Sequence, residues 1–157
     1  MNATNEPPQE KQEPIFSIEK IYIKDLSLEV PHAPEVFMEQ EQPQIDMQLD
    51  CECKPFSEGF FDCTLKVLVT AKIKDKILFL VEVKQAAIVQ IRNIAPDELG
   101  PLIDIACPSA LFPYAREAVS SMVMRAGFPP VLLAPISFEA LYAQHHAQQH
   151  AAAHARP

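Results

Sequence analysis

Between Ile45 and Ile91 apolar and polar residues alternate in three successive runs, a pattern that suits an antiparallel sheet with one buried face. In the first run Ile45, Met47, Leu49, Cys51 and Cys53 alternate with Asp46, Gln48, Asp50, Glu52 and Lys54. Lys54–Gly59 supplies a turn, after which Phe61, Cys63, Leu65, Val67, Val69, Ala71 and Ile73 continue at period two. A second turn at Asp75–Lys76 leads into a strand whose inner face is Phe79, Val81, Val83, Ala87, Val89 and Ile91. Its outer face is Leu78, Leu80, Glu82, Lys84 and Ile88, so that Leu80 stands as an exposed apolar residue beside an acid. Upstream, Phe16–Val30 alternates too, but the parity changes from Phe16 and Ile18 to Ile21 and Ile23, and again to Leu26, Leu28 and Val30. A slip of one residue moves the apolar set to the other face, so this strand must bulge or bend near Glu19–Lys20 and Lys24–Asp25.

The segments around these strands are punctuated by proline. Pro31–Pro43 holds three prolines around Val36, Phe37 and Met38, which excludes a regular element and predicts an ordered crossover or an exposed apolar loop. Asn93–Ala110 carries Pro96, Pro101 and Pro108, and its cluster Leu99, Leu102, Ile103 and Ile105 predicts a short helix. Further on, Pro113 presets φ at a first helical position, and Gly127 followed by Pro129 and Pro130 marks a stop. In that helix Leu111, Tyr114, Ala115, Ala118, Val119, Met122 and Ala126 fall on one face, with Arg116, Glu117 and Ser120 opposite. Its small residues allow a close approach to a support. Met124 projects on the other side and predicts a cover, either a second subunit or another part of the chain. A second helix begins near Ser137, an N-cap, with Glu139 in its first turn and Ile136 and Leu141 at the spacing of a hydrophobic staple.

Composition narrows the function classes. A chain of 157 residues with 48% hydrophobic content suits one domain with a real core. A net charge of −8, with 13 basic residues in no run against 21 acids, argues against nucleic acid and suits basic partners or unfolded chains rich in positive charge. Residues 1–14 are polar and lack an apolar core, so neither a signal peptide nor an anchor is expected, nor direct membrane insertion. The four cysteines read as reduced, small hydrophobes. Cys51 and Cys53 share a strand face and Cys63 could pair across the hairpin near Cys51. Three such thiols could hold zinc, but no nearby histidine or second C-x-x-C completes a tetrahedron, and the expectation is free thiols.

Convergent catalytic chemistry is scarce. With three glycines and no G-x-x-x-x-G-K, G-x-G-x-x-G or G-x-S-x-G, the chain lacks the backbone requirement of nucleotide loops and of the common hydrolase elbow. His32 sits in a proline-bounded turn, and Ser120 and Ser121 have no basic partner. His146, His150 and His154 would align on one face of a helix, yet they lie in an Ala/Gln/His-rich stretch expected to fray and be solvated. No enzyme, cofactor or metal is expected from these residues.

Several stretches together resemble the SecB family of tetrameric protein-export chaperones: LFPYARE, GFPP, LAP and FEALY towards the C-terminus, and IYIKDLSLEVPHAP and FLVEV upstream. The resemblance spans roughly residues 16–142. It implies an α+β fold, a four-stranded antiparallel sheet with two C-terminal helices packed on one face. Around it, residues 1–14 are expected as a disordered segment, 15–143 as the chaperone domain and 144–157 as a low-complexity tail. It further implies a cytoplasmic, ATP-independent holdase that keeps precursor polypeptides unfolded in hydrophobic grooves and delivers them to the SecA motor, assembled as a dimer of dimers. Asp25 and Glu29 in YIKDLSLE, and Leu80 and Glu82 in FLVEV, match the motor-contacting positions, and the periodicity independently sends Asp25 and Glu29 outward. Val36, Phe37, Met38, Phe138, Leu141 and Tyr142 are the expected groove, and Met124 the expected subunit contact. The family often has a tryptophan in the crossover, where this chain shows Glu41, and a glycine pair where it has Ala86–Ala87. A small apolar-ligand-binding domain without chaperone activity is the rival reading; it needs one enclosed cavity where a chaperone needs long open grooves.

Overall fold

A computed structural model of the chain describes residue 10 and residues 12–155, so most of the 1–14 segment lies outside the described residues. Four strands, β1 (Ile15–Glu29), β2 (Gln44–Ser57), β3 (Phe60–Ile73) and β4 (Lys76–Arg92), form one antiparallel sheet in the order β1-β4-β3-β2. The pairing of β1 with β4 slips between Ile18 and Lys20 and again between Ile23 and Asp25, where the parity of the sequence changes. The chain crosses from one edge of the sheet to the other, about 14 Å away, through residues 30–43. That crossover contains one regular element after all, a 3-10 turn at Glu35–Met38. Main-chain bonds from Val36 to His32 and from Phe37 to Pro34 close it, and Val36 is driven into the core at 2% exposure.

The first hairpin turn is tighter than expected, and the second is shifted by one residue. The strands run on to Ser57 and Phe60, leaving Glu58–Gly59 as the turn, and to Ile73 and Lys76, leaving Lys74–Asp75. With that register Cys53 faces Cys63, Cys51 faces Leu65, and Cys53 and Cys63 are joined as a disulfide. The expectation of free thiols is therefore corrected for this pair; Cys51 and Cys107 are free. A second correction concerns Leu78. Pairing jumps from Ala71↔Phe79 to Lys72↔Ile77, so Leu78 is a bulge residue and is buried beside Phe79.

The helical part begins earlier than Pro113. Pro96 takes the first helical position of α1 (Pro96–Pro101), a π-helical segment spans Leu102–Ala106, and α2 (Cys107–Arg125) follows without a break. Pro101, Pro108 and Pro113 thus lie inside one helical run. The wider π turn accommodates the break in the ladder before Pro108, as the Cys107 N–H bonds the Leu102 carbonyl five residues back. Leu111, Ala115, Ala118, Val119 and Val123 are buried against the sheet, whereas Tyr114, expected on that face, is exposed. α2 lies on β4 and β3 and reaches β1. Helix α3 (Phe138–His154) starts as expected at Ser137, whose hydroxyl accepts from the Ala140 N–H at 3.2 Å. It packs on the π segment and continues as helix well into the 144–157 stretch, its residues beyond Tyr142 exposed.

The end of α2 fixes the route of the following connector. Gly127 at φ 93° lets its own N–H reach the Met124 carbonyl at 3.0 Å and the Phe128 N–H reach Val123 at 3.2 Å, a Schellman closure. A Cβ on Gly127 would stand 3.2 Å from a Phe37 ring carbon. Gly127→Ala is expected to cost about 1–2 kcal/mol through the left-handed backbone alone, measured as a lowered urea midpoint with an unchanged slope.

Candidate functional site

Two surfaces stand out, one on each face of the sheet. On the helix side, β2 is an edge strand that α2 does not roof, so Met47, Leu49 and Cys51 are only half buried and Ile45 is 40% exposed. At one end of this strip a hollow of about 510 Å³ opens between the crossover and the 127–131 connector, lined by Val36, Phe37, Ile45, Leu78, Phe79 and Phe128 among others. Its wall is a cluster of three rings: Phe128 lies 5.0 Å from Phe37, stacked, and 5.0 Å from Phe79, tilted, centroid to centroid. Glu39 and Glu41 also line it, paired with Lys76 at 3.2 Å and Lys74 at 3.8 Å. At the other end a hollow of about 500 Å³ lies between β2 and α3, lined by Leu49, Cys51, Asp104, Leu141, Tyr142 and His145 among others.

The residues expected as a groove are thus divided between two sites. Phe37, at 47% exposure, and Val36 line the first hollow; Leu141 and Tyr142 line the second. Phe138 is buried edge-on against Phe112 at 5.9 Å, and Met38, at 82% exposure, lines neither hollow. Phe128, Phe79 and Leu78 were not anticipated as lining residues. The GFPP connector was visible as apolar, but its meeting with Phe37 depends on the Gly127 turn.

On the opposite face the four residues matched to motor contacts come together. Glu29 pairs with Leu80, Ser27 with Glu82 and Asp25 with Lys84, on alternate rungs of β1 and β4 and so on one face. Lys66 on β3 approaches Glu82 at 3.7 Å, so the patch is mixed in charge around Leu80. Beside it, Tyr22 donates to Asp62 at 2.7 Å and Lys24 pairs with Asp62 while donating to Thr64 at 2.9 Å. Burial works to raise the Asp62 pKa, but the Lys24 and Tyr22 hydrogen bonds outweigh it and hold the carboxyl below its ordinary value. The same bond to Asp62 raises Lys24, while burial and then Asp62 raise Tyr22. Under the helices, burial pushes the Cys51 thiol up to about 12 and the Cys107 thiol up to about 11, with Asp104 adding to both. Met124, 51% exposed, borders a shallow hollow on the outer side of α2 together with Leu132 and Pro113. No described helix is long and apolar enough to cross a membrane.

An antiparallel sheet with open apolar hollows on one face and a charged patch on the other defines an α+β binding module. The chain belongs to the SecB family: the family model described as preprotein translocase subunit SecB matches residues 9–149. It is 63% identical over 141 residues to the protein-export protein SecB of Chromobacterium violaceum, covering 90% of this chain and 94% of that one. It is 49% identical over 147 residues to that of Methylobacillus flagellatus, covering 94% of each. Among solved structures it superposes on a SecB-like chaperone of Mycobacterium tuberculosis in complex with a ChAD peptide from the HigA1 antitoxin. There the TM-score is 0.65 at 18% identity, with 77% of this chain and 90% of that one covered, a likeness of fold.

The Tyr22–Lys24–Asp62 cluster gives a pH prediction. Its lowered carboxyl contributes stability that is present above the unfolded carboxylate pKa and is lost as pH falls through the folded one. The raised Lys24 contributes stability that is present below the unfolded lysine pKa and is lost as pH rises through the folded one. The side chains of Lys24 and Asp62 are 38% and 28% exposed, so solvent screening limits the pair to about 1 kcal/mol or less. Asp62→Asn is expected to lower the urea midpoint slightly at neutral pH and to remove part of the parent's loss of stability as pH falls below about 4.

Proposed function

We propose that this protein is an ATP-independent holdase that keeps precursor polypeptides unfolded along its β2 groove and hands them to the SecA motor. The observation that carries the reading is the continuity of the half-exposed strip Ile45, Met47, Leu49 and Cys51 between the two hollows. Six residue steps of strand span about 20 Å, enough for an extended segment of similar length to place side chains in both ends. Apolar side chains captured this way gain their stabilisation from burial, which needs no nucleotide. The small-ligand alternative is not favoured, because it calls for one enclosed cavity and both hollows here are open.

The proposal assigns separate faces to separate partners. Substrate lies on the helix side, and SecA docks on Asp25, Glu29, Leu80 and Glu82, acids around a small apolar centre that suit a cationic partner. Burial of Met124, with Leu132 nearby, between subunits gives the dimer of dimers, acting in the cytoplasm. The role is binding and transfer of chains rather than bond chemistry.

Three measurements test this. Phe37→Ala with Tyr142→Ala is expected to weaken affinity for an unfolded polypeptide about tenfold with subunit count unchanged and the fold kept by circular dichroism, at a somewhat lower melting temperature; an unaltered affinity places the groove elsewhere. Glu82→Lys is expected to retain aggregation suppression while losing salt-sensitive SecA binding. If both activities fall together, the docking face is misassigned. Met124→Asp should convert tetramers to dimers in sedimentation at micromolar concentration, and a variant that sediments like the parent refutes the contact.

A further inference from the structure

All four cysteines of the chain gather where β2 and β3 meet the start of α2. Cys51 and Cys53 share the inner face of β2, Cys63 lies across the rung from Cys53, and Cys107 is the first residue of α2. The sulfurs of Cys53, Cys63 and Cys107 all lie within 4.8 Å of one another. Cys63 and Cys107 are fully enclosed at 0% and 1% exposure, while Cys53 is half buried and gives a route in from solvent. Pattern reasoning could not bring Cys107 to this point, because it arrives on a different element far along the chain.

The donor set has a definite chemical preference. Thiolates hold zinc at about 2.3 Å, which places neighbouring sulfurs about 3.8 Å apart. Once the disulfide is reduced, the Cys53 and Cys63 sulfurs separate from bonding distance to that spacing, and the Cys107 sulfur, within 4.8 Å of both, closes by at most about 1 Å, both movements within the reach of side-chain rotation. Thiolate sulfur is soft and selects zinc-like or monovalent copper ions over magnesium or calcium. Charge then decides between these two. Three thiolates around a divalent ion leave a net −1 in an apolar site, whereas a monovalent ion leaves −2, which costs more to bury.

We propose that Cys53, Cys63 and Cys107, with the Cys53–Cys63 disulfide reduced, bind one thiophilic divalent cation of the zinc class at the junction of β2, β3 and α2. The chemistry balances in two steps. A dithiol reductant gives two electrons and two protons to the Cys53–Cys63 bond, becoming a disulfide itself as two thiols form. The ion then displaces three thiol protons into solvent and forms three metal–sulfur bonds. Cys51, which is not one of the three mutually close sulfurs, serves as the internal control.

The test uses the full chain in dithiol reductant, desalted anaerobically and titrated with cadmium, whose thiolate charge-transfer absorption reports sulfur ligation specifically. That readout matters because His146, His150 and His154 on α3 offer nitrogen donors of their own. The expected result is absorption that saturates at one cadmium per chain, one zinc retained per chain by elemental analysis, and a raised melting temperature with zinc. Cys51→Ala should bind cadmium like the parent. Cys53→Ser, at the half-exposed position, and Cys107→Ala should each weaken binding at least about 100-fold, with circular dichroism reporting that the fold is kept. The proposal is overturned if the reduced parent shows no thiolate absorption, if Cys53→Ser binds like the parent, or if the disulfide survives excess reductant.

Discussion

β3 and β4 bury their inner faces because α2 presents alanine where it meets them. Ala115 and Ala118, with Leu111, Val119 and Val123 beside them, let the helix approach a surface of Leu65, Val67, Val69, Val81 and Val83 that is left at 0% exposure. A helix about 10 Å across roofs about two strands spaced at 4.8 Å, and the sheet has four. At least one edge strand must therefore remain open on the helix side. β2 is that strand, since α2 lies on β4 and β3 and leans towards β1. The open strip of Ile45, Met47, Leu49 and Cys51 is thus a direct consequence of having one long helix for four strands.

Much of this was written in local pattern. The two slips in β1 followed from parity alone, and Ser137 with Glu139 announced α3 by the same rules that govern isolated helices. The outward direction of Asp25, Glu29 and Glu82 followed from period two, and the structure adds that they occupy alternate rungs of the same strand pair. What escaped was decided by tertiary contact. Pro113 looked like a helix start because proline disrupts an interior ladder, yet Pro96 satisfies the first-position rule and the π turn at Leu102–Ala106 carries the helix on towards α2. Tyr114 was placed on the packed face by angle, but the helix is rotated so that Phe112 enters instead. Cys53 opposite Cys63 depended on a turn shorter than the local composition suggested, and such register is set by the final residues of a hairpin.

The alternation in β4 has a further consequence for mechanism. Phe79, Val81 and Val83 point to the helices, while Leu80, Glu82 and Lys84 point to the other side. In the proposed function, each face can change its chemistry without altering the other, because neighbouring residues of a strand share backbone but not side-chain surroundings. In that proposal the charged patch needs no deep burial and its partner is attracted through solvent, so salt acts on it strongly. The apolar groove relies on area removed from water and responds to salt weakly or in the opposite sense.

The first hollow owes its shape to two departures from regular structure that meet. At Leu78 an extra residue in β4 turns a second apolar side chain to the side already occupied by Phe79, building a wall that strict alternation could not supply. At Gly127 the left-handed residue ends α2 and sends Phe128 back across the sheet, where it packs tilted against Phe79 and stacks on Phe37. Neither feature suffices alone. Without the bulge Leu78 would point to the outer face, and without the turn the connector would leave the sheet before Phe128 reached the crossover. Phe37 then holds an intermediate position, its ring stacked on Phe128 on one side and 47% exposed. In the proposed function, an aromatic fixed on one side by packing and open on the other gives an incoming apolar side chain a surface to bury against, with little side-chain entropy left to lose.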